Sequence, residues 1–256
     1  MDLQLNGKKA LVLGGTRGIG RAIAETLADE GCDIGLCARN ADQVAEAVGA
    51  LTAKGVRATG AAVDIAEGEA LKRWITETGT ELGGIDILIS NASALGIGNT
   101  EEVWNAGFQI DVMGAQRSAE AAMPFLEKAA AKHGDAAIVI IASIAAAQTD
   151  DISAYGAMKA ALIHMTKGLG RANAPKHVRA NVISPGTVYF EGGVWHMVEQ
   201  TMPDFFKTTL ERNVMGRMAT PQDIANAAVF LASPVSSFTT GSNLVVDGAI
   251  TRRVNY

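Results

Sequence analysis

Two kinds of segment alternate along this chain, and that alternation limits its fold more than any single residue does. Short apolar runs at 9–13, 33–38, 57–63, 85–90, 136–142, 178–184 and 243–246 have the length of strands. Longer, Ala-rich amphipathic stretches stand between them at 19–30, 41–54, 67–81, 101–132, 152–172 and 221–232. Strands joined by helix-length crossovers pair in parallel, and their helices cover both faces of the sheet. The predicted fold is therefore α/β, a single-domain doubly wound parallel sheet with helices on both faces. No Pro/Ser-rich linker or charge run divides the 256 residues, and a hydrophobic content of 48% is ample for one large core.

One segment breaks the rhythm. Residues 187–215 contain no strand-like run but carry Tyr189, Phe190, Trp195, Met197, Met202, Phe205 and Phe206. Long insertions in α/β domains are usually functional, and this one reads as a substrate lid. The alternative is an ordinary helical hairpin packed on the core.

The first strand runs into Gly14-Gly15-Thr16-Arg17-Gly18-Ile19-Gly20 and then into a helix. Glycines between a strand and a helix let the backbone approach a pyrophosphate, which the helix N-terminus attracts. At the end of the second strand, a carboxylate would hydrogen-bond the 2′-hydroxyl of NAD and repel a 2′-phosphate. The chain has Ala38 and Arg39 there, and Arg17 lies in the glycine turn. A guanidinium suits a phosphate, so the expected cofactor is NADP(H) rather than NAD(H). The alternative for both arginines is solvated surface charge.

Tyr155 and Lys159 stand four residues apart in a predicted helix, so both side chains share one face, a turn apart. A free phenol titrates near pH 10 and is a poor base at neutrality. A neighbouring ammonium favours the phenolate, which suits a Tyr to pass a proton to or from an alcohol oxygen.

Composition removes other classes. The net charge is −5 and no basic block is present, which argues against nucleic acid or an anionic membrane as partner. The N-terminus has no signal-peptide pattern, and the longest apolar stretch, around 136–147, is too short to span a bilayer. The expected location is cytoplasmic. Cys32 and Cys37 lie about 16 Å apart along one predicted strand, too far for a disulfide. The four histidines show no metal-ligand spacing, so no metal site is expected.

Taken together, these motifs resemble the short-chain dehydrogenase/reductases over essentially the whole chain. The glycine turn is similar to that family's coenzyme motif, and Asp64 to its adenine-contacting Asp. Asn91, in Ser90-Asn91-Ala92-Ser93, falls in its Asn-Asn-Ala-Gly segment. Ser143, Tyr155 and Lys159 fit its catalytic residues, and Arg179 to Gly186 the segment that reaches the nicotinamide. Gly216-Arg217, Phe230-Leu-Ala-Ser and Thr240-Gly241…Val246-Asp247-Gly248 fit its C-terminal signature.

The resemblance implies a Rossmann-type fold and hydride transfer between NADP(H) and a carbonyl/alcohol pair. Ser143 would bond the substrate oxygen, Tyr155 would exchange its proton, and Lys159 would assist Tyr155 and hold ribose hydroxyls. The implied cofactor contacts are Gly14, Thr16, Arg17, Gly18, Ile19, Gly20, Arg39, Asp64, Ile65, Asn91, Tyr155, Lys159, Pro185, Gly186 and Val188. Ala94, Ala145 and Trp195 would contact a small-molecule carbonyl or alcohol with a sizeable hydrophobic body. Members usually form homotetramers.

Several residues depart from the family's pattern. Ser93 replaces its Gly, Ser90 its first Asn, and Phe190 stands near a common Thr. Asp111 occupies the place of an Asn that helps hold a water linking the catalytic Lys to solvent. Either Asp111 still places that water through its backbone carbonyl, or the proton relay is impaired. Two further readings stay open. A 3-oxoacyl-carrier-protein reductase would need a basic patch, for which Arg171, Lys176 and Arg179 are candidates. A non-catalytic NADP(H)-binding regulator would need no Tyr155.

Overall fold

The apolar runs form one seven-stranded sheet in the order β3-β2-β1-β4-β5-β6-β7, with every neighbouring pair parallel. The computed structural model describes residues 1–96, 98–149 and 151–254. Its strands are β1 (Lys9–Leu13), β2 (Asp33–Ala38), β3 (Ala58–Ala62), β4 (Ile87–Ser90), β5 (Ala136–Ile141), β6 (Val178–Pro185) and β7 (Asn243–Val246). The chain lays down β1, β2 and β3 in one direction, then returns to the other side of β1 with β4 and continues outward. That reversal opens a crevice beyond the carboxyl ends of β1 and β4, where doubly wound sheets bind ligands.

The central strands β4, β5 and β6 are buried at every position, as expected for strands covered on both faces. Successive residues of a strand point to opposite faces, which divides the core in two. Val12, Leu36, Ile89, Val139 and Ile183 pack against α1 (Gly18–Asp29), α2 (Ala41–Thr52) and α9 (Pro221–Ala232). Leu11, Leu13, Leu88, Ile138 and Val182 pack against α3 (Gly68–Leu82), α5 (Gly114–His133) and α6 (Ala154–Asn173).

Two predicted helices begin or run differently. The stretch predicted from residue 152 becomes helical at Ala154, because Ser153 caps it: its hydroxyl accepts from the Gly156 N–H at 3.1 Å. The stretch 101–132 is not one α-helix. A π-helical turn, Phe108–Met113, separates α4 (Glu101–Gly107) from α5. The segment after β6 contains α7 (Val194–Thr201) and α8 (Pro203–Arg212).

Of the three candidates for a basic patch, Arg171, Lys176 and Arg179, the last is only 3% exposed and cannot contribute to one. Its guanidinium grips both Asp135 oxygens, at 2.6 and 3.0 Å. It also donates to the Leu231 and Ser233 carbonyls at 2.7 and 3.0 Å. Those carbonyls end α9 and lack partners within the helix, so Arg179 serves as their cap. Lys176, in turn, pairs with Glu127 at 2.6 Å.

Cys32 and Cys37 are free and buried, and Cys32 lies just ahead of β2 rather than inside it. Burial pushes both thiols up to about 12, so neither carries thiolate at neutral pH.

Replacing Arg179 by Met should leave Asp135 buried without its counter-charge and the end of α9 without its cap. The expected loss is about 3–5 kcal/mol of unfolding free energy, measured by urea denaturation. A loss below about 1 kcal/mol, the scale of a surface pair, would contradict this account.

Candidate active site

The glycine turn sits at the mouth of the crevice. Gly14 and Gly18 have φ of +72° and +54°, values that side-chain-bearing residues rarely adopt. At Gly20 an added Cβ would lie 2.1 Å from the Gly14 carbonyl oxygen. The turn is therefore folded back on the start of α1 as tightly as a main chain allows. Asn91, just past β4, donates from Nδ2 to the Gly14 carbonyl at 3.0 Å and bridges the two sides of the crevice. No side chain caps α1, so its first N–H groups remain available to an anion.

Arg39 lies exposed immediately after β2, and Asp64 exposed after β3. The start of the segment after β6 rests on the turn. Phe190 lies so close to Gly18 that an added Cβ there would be 2.5 Å from its ring, and Arg17 donates to the Gly192 carbonyl at 3.3 Å. Ile65 and Val188 bury their side chains at 6% and 9% exposure, which leaves their main chains as the groups a ligand could meet.

Further along the same edge, Ser143 follows β5 and caps a short 3-10 turn, Ile144–Ala146. Its Oγ accepts from the Ala145 N–H at 3.1 Å, which leaves its own O–H free to donate. Gly156 brings the start of α6 against this turn: an added Cβ would lie 2.8 Å from the Ala145 carbonyl oxygen. Tyr155, its neighbour in α6, is half-buried. Lys159 Nζ lies 5.4 Å from the centroid of the Tyr155 ring. The spacing read from the sequence thus places Tyr155 and Lys159 against each other on one face of α6.

Lys159 is a deeply buried charged group at this edge, at 2% exposure. It donates to the Ile141 carbonyl at 3.1 Å and lies 2.9 Å from Asp111 Oδ1. Asp111, on the π-helical turn, therefore meets Lys159 directly through its side chain. A π turn inserts extra backbone into a helix and shifts the phase of the turns beyond it, and such turns often mark functional sites.

The loop after β4 completes the arrangement. Ser93 Oγ donates to Asp111 Oδ1 at 2.6 Å, and the Ala94 N–H to Oδ2 at 2.8 Å. Ala94 and Ala145 are half-buried. Trp195, on α7, stacks on Phe205 of α8 with ring centroids 6.0 Å apart. Ser93 and the Ile141 carbonyl are site groups outside the contacts expected from the sequence. Ser93 is visible as a departure from a glycine, whereas a main-chain carbonyl leaves no mark in a sequence. Among the described residues no cluster of three or more His, Cys, Asp or Glu could hold a metal ion. None of their helices is long and apolar enough to cross a membrane.

Known proteins share this arrangement of chain. The family model described as enoyl-(acyl carrier protein) reductase matches residues 14–251. The isoepoxydon dehydrogenase of Penicillium expansum is 35% identical over 251 residues, covering 96% of this chain and 95% of that protein. Human dehydrogenase/reductase SDR family member 4 is 33% identical over 260 residues, covering 98% of this chain and 90% of that protein. The crystal structure of L-sorbose reductase from Gluconobacter frateurii, complexed with NADPH and L-sorbose, aligns with a TM-score of 0.89 at 32% identity, covering 99% of this chain and all of that one. The chain belongs to the short-chain dehydrogenase/reductase family. It is an oxidoreductase of the class that acts on CH–OH groups with a nicotinamide cofactor.

The packing of the glycine turn yields a direct check. Gly20→Ala should cost about 1–3 kcal/mol through overpacking against the Gly14 carbonyl, seen as a lower midpoint in thermal unfolding. Gly49→Ala on α2, where an added Cβ meets nothing within 4 Å, should hold or raise that midpoint. Equal behaviour of the two variants would refute the tight turn.

Proposed function

We propose that this protein is an NADP(H)-dependent reductase/dehydrogenase that interconverts a ketone and a secondary alcohol on a substrate with a hydrophobic body. The observation that carries this reading is a buried Lys159 held over Tyr155, with a Ser143 whose hydroxyl proton is free on the turn packed against the start of α6. When bound, the nicotinamide supplies or takes up the hydride.

The chain's own groups handle the oxygen. In the reductive direction negative charge develops on the carbonyl oxygen, and the free Ser143 O–H can donate to it. Tyr155 Oη passes its proton to that oxygen, while the Lys159 ammonium stabilises the phenolate left behind. In the oxidative direction the phenolate takes the alcohol proton.

The glycine turn fits a pyrophosphate by its positive-φ glycines and uncapped α1 N-terminus. Gly14, Thr16, Arg17, Gly18, Ile19 and Gly20 would hold it, with Asp64, Ile65 and Asn91 toward the adenine side and the crevice. Pro185, Gly186 and the main chain of Val188 would bound the nicotinamide. Arg39 supports NADP(H) over NAD(H), because a guanidinium follows β2 where a carboxylate would repel a 2′-phosphate. The NADPH of the L-sorbose reductase complex supports the same choice.

Segment 187–215 serves as the lid. Its exposed Val194, Met197, Met202 and Phe205 support an apolar substrate body. The sugar bound by L-sorbose reductase sets the competing outcome. Burial of Arg179 weighs against a carrier-protein substrate. Two buried free thiols accord with a reducing cytoplasm, and a homotetramer is the assembly expected of such a chain.

A panel of ketones, aldehydes and alcohols with NADPH and NADP⁺ tests the activity. Turnover of hydrophobic ketones is expected, and Tyr155→Phe should lower kcat by roughly 10²–10⁴-fold while NADPH still binds. Uniform preference for small polyols would contradict the substrate class. Absence of any turnover, with NADPH bound equally by both proteins, would favour a non-catalytic NADP(H)-binding regulator.

The cofactor choice has its own test. Arg39→Asp should weaken NADPH binding by about 10–100-fold, the loss of a charge-assisted contact, and improve NADH binding relative to it. A wild-type preference for NADH of about tenfold would overturn the assignment.

A further inference from the structure

Three donors converge on the Asp111 carboxylate. The Ser93 hydroxyl reaches Oδ1 at 2.6 Å, Lys159 Nζ lies 2.9 Å from the same oxygen, and the Ala94 N–H reaches Oδ2 at 2.8 Å. A carboxylate accepts at both oxygens and satisfies all three. An amide accepts at only one, so its NH₂ group would face a donor whichever way it turned. The surroundings of residue 111 therefore suit an aspartate. Asp111 and Lys159 are 3% and 2% exposed, so solvent ions screen the pair weakly.

Resting on the reading that Tyr155 exchanges a proton with the substrate, we propose that Ser93 and Asp111 are a positioning pair for that reaction. They hold Lys159 by a direct ion pair, and the carboxylate charge moves the pH range of proton transfer at Tyr155 upward. The sign comes from Coulomb's law. Lys159, 5.4 Å from the ring centroid, favours the phenolate, and a carboxylate in contact with that same ammonium opposes it.

Other charged groups on the elements packed against α6 are exposed or already paired. Glu101 and Glu102 of α4, Asp151 ahead of α6 and His164 on α6 are exposed. Lys176 pairs with Glu127, and Arg179 with Asp135. The Ala94 amide adds a second consequence: the loop proposed to line the substrate is tied to the same carboxylate.

The test titrates the tyrosinate ultraviolet absorbance of the full chain, with the Tyr155→Phe spectrum subtracted to isolate Tyr155. In Asp111→Asn the midpoint should move to lower pH by about one pH unit. In Ser93→Ala the carboxylate loses a donor and its charge is less dispersed, so the midpoint should move the other way, to higher pH. The pH–rate profile of carbonyl reduction with NADPH should track both shifts. A purely structural pair would lower thermal stability in both variants and leave both midpoints in place, which would overturn the proposal. If Asp111→Asn does not fold, Ser93→Ala decides alone: an upward shift supports the proposal and an unchanged midpoint overturns it. If the wild type reduces no carbonyl, the enzymatic reading fails, while the titration still decides whether Asp111 acts on Tyr155.

Discussion

A primary ammonium at 2% exposure cannot persist without a counter-charge and acceptors, and the layout of the carboxyl edge depends on how Lys159 is matched. Its two partners come from different parts of the chain. The Ile141 carbonyl is the last of β5, and Asp111 lies on the turn between α4 and α5. Through Asp111, the loop after β4 is bound in as well. One cation thereby fixes the loops after β4 and β5 relative to α6. Ser143 stands two residues beyond Ile141, so the grip on Lys159 also sets the height of that hydroxyl above the sheet. Gly156 then allows the turn capped by Ser143 to meet the start of α6.

The sheet supplies the frame on which this matching works. Its order reverses at β1, so the loops after β1 and β4 face each other, and Asn91 joins them through the Gly14 carbonyl. The second buried ion pair, Arg179 with Asp135, lies at the opposite end of the sheet, where β6 begins. It gathers the carbonyls that end α9. β6 therefore carries a stabilising guanidinium near its start and ends with Pro185 at the carboxyl edge. Fixing the helices at one edge leaves the loops of the other edge free to be built around a ligand.

Much of this is legible in the chain. The alternation of strand-length and helix-length segments survives as the observed element order because both periodicities are local properties of the sequence. The spacing of Tyr155 and Lys159 survives because four residues is one helical turn. The π-helical turn at Phe108–Met113 is hidden, since its residues continue the helical pattern on either side and only the hydrogen-bond register differs. Arg179 looks like surface charge because its partners, Asp135 and the end of α9, are 44 and more than 50 residues away. Burial of that kind depends on tertiary contacts that no local window contains.

Ser93 and Asp111 teach the same lesson at the site itself. Each, taken alone, is a single substitution against the pattern of the family, and Asp111 alone leaves the relay open between a backbone-held water and an impaired one. In space they are joined at 2.6 Å on one carboxylate oxygen, with the ammonium of Lys159 2.9 Å from that same oxygen. A glycine at 93 would remove one of its two donors, and an asparagine at 111 would set an NH₂ against a donor. Neither residue is chemically independent of the other, so the two departures are better understood as one exchange: a neutral amide for a carboxylate, together with the hydroxyl that keeps it in place. The Lys159 ammonium then works beside a fixed negative charge, a different electrostatic setting from the one the family pattern at these two positions would provide.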